Sequence, residues 1–97
     1  MTLTLQHAAH PGEVLSDELR ELGVPLEELA AQIELPLAAL EGVVSGRRAI
    51  DGDTALRLGH WFGTSPQFWM NLQVQHDLLA AERLSGERIR NLPTRAA

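Results

Sequence analysis

Two adjacent arginines, Arg47 and Arg48, are the side chains of this sequence best suited to a specific chemical task. Arginine binds phosphate through charge and reads base edges through a planar fork of donors. The pair directly follows an apolar-periodic stretch that ends at Ser45-Gly46, so it also complements a helix C-terminus. Other chemistries find little support. There is no cysteine, which excludes disulfides, zinc thiolates and thiol nucleophiles. Among His7, His10, His60 and His76, only the pair His7 and His10 has metal-ligand spacing, and it lies ahead of the first helix. Structural roles are expected, with His10 shaping the entry to the first helix and His76 at the edge of the core or on a dimer surface. Carboxylates are abundant, but no nucleophile motif, P-loop or dinucleotide fingerprint accompanies them. The expectation is a binding protein, not an enzyme, with no cofactor and no metal.

The elements that must position the arginines lie between residues 25 and 50. Leu26, Leu29, Ala30 and Ile33 fall on one helical face, and Leu37, Leu40 and Val44 do the same after a short break. Pro36 cannot lie inside a helix but fits the first turn of the second one. Gly46 suits the left-handed C-terminal position. Two short helices joined by a tight bend, roughly 25–33 and 37–45, make a helix-turn-helix, whose second helix usually enters the DNA major groove. Candidate DNA-facing residues are therefore Leu37, Ala38, Glu41, Ser45, Arg47 and Arg48.

Ahead of this unit, His10-Pro11-Gly12-Glu13 launches a helix with Leu15, Leu19 and Leu22 as its buried stripe, stopped by Gly23. Behind it, Asp51 caps a fourth helix through about Phe62, in which Gly59 admits a close neighbour. A fifth helix starts at Thr64-Ser65-Pro66-Gln67, capped by Ser65 with Pro66 at its first position, or by Thr64 with Gln67 reaching back. Its stripe is Trp69, Leu72, His76 and Leu79. The pattern runs to about Leu84, where Ser85-Gly86 interrupts it, and Ile89 and Leu92 add a turn before Pro93. The expected domain spans 10–92, between an arm at 1–9, in which Leu3 and Leu5 alternate, and a loose tail at 93–97. Phe62, Phe68, Trp61 and Trp69 cluster into one aromatic corner of the core.

Ninety-seven residues with 44% apolar content suffice for one small domain with a core. No apolar run approaches the length of a membrane span and no leader is evident at the N-terminus, so a soluble cytoplasmic protein is expected. The formal charge of −5 opposes binding to a polyanion, but the charge is unevenly spread. Between residues 13 and 41, eight carboxylates stand against Arg20 alone. All other cations are arginines at or beyond Arg47: Arg47 and Arg48, then Arg57, then Arg83, Arg88, Arg90 and Arg95. The acidic helices are a solvated face or a surface that masks a basic partner.

Four stretches taken together resemble the HigA/VapI-type antitoxins, a branch of the Xre/Cro helix-turn-helix regulators. They are His10-Pro11-Gly12-Glu13-Val14-Leu15, Gly46-Arg47-Arg48-Ala49-Ile50, Ala55-Leu56-Arg57-Leu58, and Gly63-Thr64-Ser65-Pro66-Gln67-Phe68-Trp69-Met70-Asn71-Leu72-Gln73. The resemblance covers about residues 8–92. It implies an all-α, five-helix Cro/lambda-repressor-like domain with a long C-terminal helix. It also implies an antitoxin that neutralises a HigB/RelE-type mRNA-cleaving toxin and represses its own operon by binding operator DNA as a homodimer. By the same resemblance, dimerisation uses the last helix, with Leu78, Leu79, Glu82, Ile89 and Leu92 as candidates.

The chain departs from that family at the positions nearest DNA. The first-turn Gln of the second helix is Leu26, and the turn glycine is Glu34, a residue for which positive φ is costly. Bases are read mainly by Arg, Lys, Asn or Gln, and none of these occurs between residues 33 and 46. What remains is contact of Leu37 or Ala38 with a thymine methyl and acceptance by Glu41 from cytosine. Two readings follow: an antitoxin and autorepressor, or a protein-interaction module of the same fold with weak or lost operator recognition.

Overall fold

The computed structural model describes residues 10–95, which form five helices: α1 (Pro11–Leu22), α2 (Leu26–Ile33), α3 (Leu37–Ser45), α4 (Gly52–Phe62) and α5 (Pro66–Arg90). The expected arm at 1–9 lies outside the described residues. One core joins all five. Val14, Leu15 and Leu19 from α1 meet Leu29, Ala30 and Ile33 from α2, and Leu40 and Val43 from α3. Ile50 from the following loop, Ala55 and Leu58 from α4, and Trp69 and Leu72 from α5 complete it. Leu40 is wholly enclosed, so Leu40→Ala carries the usual cost of about 2–5 kcal/mol for such a cavity.

The first four helices end in the same way. Gly23, Glu34, Gly46 and Gly63 each adopt a left-handed conformation. The next residue's N–H then turns back to a carbonyl five residues earlier: Val24 to Leu19, Leu35 to Ala30, Arg47 to Gly42 and Thr64 to Gly59. This closure satisfies carbonyls that a helix end leaves unpaired.

Three helix starts are capped by side chains, those of α1, α4 and α5, while α2 and α3 follow Pro25 and Pro36 without one. The His10 ring accepts from the Gly12 amide through Nδ1 at 3.0 Å. Asp51 accepts from the Thr54 amide at 2.9 Å. Of the two caps open for α5, Ser65 is the one used, accepting from the Phe68 amide at 3.2 Å with Pro66 at the first position. Thr64 instead accepts from the buried Trp69 indole N–H at 3.0 Å. The aromatic corner forms around that indole, with Phe62 and Phe68 each 5.2 Å from Trp69 by ring centroids.

Three expectations are corrected. Pro36 stands one position earlier than expected, as the extended N-cap of α3 with ψ at 140°. Leu22 is not in the core; it is 56% exposed. The chain turns at Gly23, and Val24, tied back to Leu19, packs against the core at that end of α1. Finally, Ser85-Gly86 does not interrupt α5, which is continuous to Arg90. One glycine costs a helix only about 1 kcal/mol. Here Glu82 folds over Gly86 and pairs with Arg90, bridging the turns on both sides. His76 and Leu79, read as part of the buried stripe, are half-buried.

Candidate nucleic-acid interface

The turn between α2 and α3 is Glu34-Leu35-Pro36, with Glu34 at φ 59° and ψ 45°. It aims α3 so that Ala39, Leu40 and Val43 face the core, while Ala38, Glu41 and Ser45 face solvent. Leu37 and Val44 flank them, half-buried. Of the six candidate DNA-facing residues, Ala38, Glu41, Ser45, Arg47 and Arg48 are thus exposed, and Leu37 is exposed in part.

The arginine loop folds back onto the end of α3. The Gly42 carbonyl accepts from the Arg47 amide at 2.9 Å, the Arg48 amide at 3.0 Å and the Ser45 hydroxyl at 3.1 Å. The Arg47 Nε donates to the same hydroxyl at 3.0 Å, which holds its guanidinium against the helix end. On the far side, a Cβ on Gly46 would run into His10 Nε2 at 2.6 Å. His10 therefore caps α1 with one ring nitrogen and supports the loop with its other edge. Its ring also meets His76 of α5 edge-on, with centroids 4.8 Å apart.

The loop ends on a residue the sequence reading did not single out as functional. Gln73 of α5 is buried; its carbonyl oxygen accepts from the Ile50 amide at 2.8 Å, and its amide donates to Asp77 at 2.9 Å. A polar side chain next to Leu72 on the core stripe was the available signal. Gln73 satisfies an amide that would otherwise be buried and unpaired, at a cost of about 1–3 kcal/mol. It also ties the arginine loop to the long helix.

Charge around the loop favours cations. The Asp51 carboxyl is held below its ordinary pKa of 3.8, first by hydrogen bonds from Thr54 and then by the nearby Arg48 charge. Arg57, a candidate for the basic face, is committed elsewhere. It donates to Asp53 at 2.8 Å and to the Ile33 carbonyl at 2.8 Å, strapping α4 to the end of α2. The Asp53 carboxylate raises its pKa. Beside this strap lies an open groove of about 340 Å³ whose walls include Gln32, Glu34, Leu56, His60 and Trp61. The Trp61 indole donates to Gln32 across it at 2.6 Å.

The dimer candidates lie on α5 and just beyond it. Leu78, Ile89 and Leu92 are exposed at 65%, 56% and 54%, Leu79 is half-buried, and Glu82 is paired with Arg90. Two exposed apolar residues were missed, Val74 and Leu84, the latter 87% exposed. Val74, Leu78, Ala81, Ser85 and Ile89 recur at spacings of four and three, one side of a helix.

No family model matches the chain. Solved structures match it closely. An addiction module antidote protein of the HigA family from Coxiella burnetii is 40% identical, with a TM-score of 0.87 over 90% of this chain and 96% of that one. The Pseudomonas aeruginosa antitoxin HigA, solved with the higBA promoter, is 36% identical with a TM-score of 0.87, covering 93% of this chain and 99% of that one. Virulence-associated protein I of Dichelobacter nodosus is 39% identical over 77 residues, 78% of this chain and 71% of that protein. With five helices, a helix-turn-helix at α2–α3 and relatives 36–40% identical over 71–99% of their own length, the chain belongs to the HigA-type helix-turn-helix antitoxins.

Proposed function

We propose that this protein is the antitoxin and autorepressor of a type II toxin-antitoxin module. It binds operator DNA upstream of its own gene as a cytoplasmic homodimer, and it neutralises a HigB/RelE-type mRNA-cleaving toxin by binding it. The observation that carries the DNA half is the arginine loop. Arg47 and Arg48 are clamped through their amides to the Gly42 carbonyl, at the exposed end of the helix that would enter the major groove. A relative of the same fold, the Pseudomonas antitoxin HigA, was solved with promoter DNA. Phosphate contacts from Arg47 and Arg48 supply affinity and register, with Leu37, Ala38, Glu41 and Ser45 lining the groove-facing side. The exposed apolar side of α5, with Leu78, Ile89 and Leu92, supports dimerisation, which presents two α3 helices to two half-sites. The carboxylate-rich α1 and α2 support binding of a basic toxin.

One observation favours the second reading, a protein-interaction module with weak operator recognition. The exposed side chains of α3 are Ala38, Glu41 and Ser45, none of which is a strong base reader. A titration separates the two. Labelled duplex from immediately upstream of the gene and a scrambled duplex are titrated at two salt concentrations with the wild type and with an Arg47→Ala/Arg48→Ala variant. The autorepressor reading expects nanomolar, salt-sensitive binding to the upstream duplex, lost in the variant. Equal weak binding to both duplexes assigns the fold to protein interaction.

A further inference from the structure

Gly42 is out of place in a recognition helix. Glycine costs a helix interior about 1 kcal/mol relative to alanine, and α3 has only nine residues. Gly12 and Gly59 are explained by backbone that passes close to them, but Gly42 is not. A Cβ on Gly42 would meet a side chain, that of Arg48, with its Cβ at 3.0 Å and its Cδ at 3.8 Å. The aliphatic stem of Arg48 therefore lies over bare helix backbone. This accounts for Gly42 being buried while Ala38, one turn earlier on the same side, is exposed. The Arg48 amide is fixed to the Gly42 carbonyl at 3.0 Å, so the stem is anchored at its root.

The other end of Arg48 is uncommitted. Its guanidinium makes no hydrogen bond or ion pair with any described residue, whereas Arg47 is held by Ser45 and Arg57 by Asp53 and the Ile33 carbonyl. Asp51 acts on it only through its charge. A free guanidinium thus leaves from beside a helix that has no long donor of its own.

We propose that Arg48 is the base-reading residue of this protein. Its stem uses the gap at Gly42 to join the outward side of α3, and its fork takes the O6 and N7 acceptors of a guanine in the major groove. Arg47, held at the helix end, stays on the phosphates. The inference deepens the operator-binding reading and rests on it. Gly42 is then the residue that makes room for a reader supplied by the loop, and the small side chain of Ala38 leaves the approach open. Lysine would keep the charge and could still donate to O6 and N7, so removing the reader requires a side chain without donors.

The test uses the full chain and the duplex from immediately upstream of the gene. Copies are made in which one guanine at a time is replaced by 7-deazaguanine, which lacks the N7 acceptor. A scrambled duplex serves as reference, all at fixed salt. Wild type is expected to lose roughly tenfold or more in affinity at one guanine per half-site. Arg48→Met, which keeps an unbranched stem and removes every donor, should lose at least a similar factor on the unmodified duplex, become indifferent to that guanine and lose less on the scrambled duplex. Arg47→Met should keep the guanine sensitivity. Gly42→Ala, which pushes the Arg48 stem aside, should weaken the guanine sensitivity, with circular dichroism reporting that it is folded. Should it fail to fold, the exposed-site variant Arg48→Met decides alone. Guanine sensitivity retained in Arg48→Met, or absent from a wild type that still prefers the upstream duplex, overturns this inference and leaves the operator reading standing. A wild type that binds upstream and scrambled duplexes equally overturns the operator reading and this inference with it.

Discussion

Glu34 and Asp51 bracket the functional segment, and each does its work through the backbone. Glu34 occupies the left-handed corner that glycine fills at the other three helix ends. A non-glycine residue there carries a strain of order 1–3 kcal/mol. The corner persists because the Leu35 amide closes onto the Ala30 carbonyl at 3.0 Å and Arg57 satisfies the Ile33 carbonyl from α4. Asp51 fixes the other end of the loop by capping α4 through the Thr54 amide. Loss of such a cap costs about 1 kcal/mol, and Asp51→Ala is expected to lower unfolding free energy at pH 7 by that amount. Since the folded state depresses the Asp51 pKa below 3.8, the contribution is present above that value and fades as pH falls through the folded-state pKa. Urea unfolding of wild type and variant at pH 7 and at pH 2 checks this: the gap should narrow at the lower pH.

Helix α1 is positioned by a close approach and not by side-chain packing alone. A Cβ on Gly12 would meet Val44 Cα at 2.7 Å and the Val44 carbonyl oxygen at 2.7 Å, so the start of α1 lies directly on the backbone at the end of α3. That contact, with His10 beneath Gly46, sets the height of the arginine loop. Gly12→Ala is expected to cost about 3 kcal/mol, because neither backbone can yield without moving α3. Denaturant unfolding measures this, and a midpoint unchanged from wild type would refute it. The His10-Pro11-Gly12 sequence announced a helix entry. It did not announce contact with Val44, thirty-two positions later, because glycine in sequence signals a special backbone without naming its neighbour.

The whole molecule is elongated, with principal extents of 53, 26 and 22 Å. The length is consistent with α5, whose 25 residues span about 38 Å at 1.5 Å per residue. Its first half packs on α4 and the core, while Leu78, Leu84, Ile89 and Leu92 remain in solvent. In the proposed dimer, the side of this helix that carries Leu78 and Ile89 is the covered one. Leu78→Glu is expected to shift the chain from dimer to monomer in sedimentation equilibrium, with helical content unchanged. A variant that stays dimeric would remove this face from the interface. On the same helix, Gln73 holds the Ile50 amide, so one buried side chain links α5 to the arginine loop.

The order and ends of the helices were legible in the sequence because they depend on local chemistry. Capping side chains, glycine corners and apolar periodicity act within four or five residues of themselves. So α2, α3 and α4 fall within a residue or so of the patterns at about 25–33, at 37–45 and from the Asp51 cap to about Phe62, while positive φ at Glu34 was expected from the family resemblance, which puts a turn glycine there. Ser85-Gly86 was misread for the same reason. Its break signal is local, and a 25-residue helix absorbs it, since one glycine costs only about 1 kcal/mol. The candidate DNA-facing residues lie together on α3 and in the loop that follows it, with Leu37 only partly exposed, while the contacts each makes within the fold were not visible in the sequence. Only the folded chain decided that Arg57 straps α4 to α2, that Gln73 holds the loop and that Arg48 lies over Gly42. Each of those contacts depends on how helices cross in three dimensions, which a one-dimensional pattern of side chains does not encode.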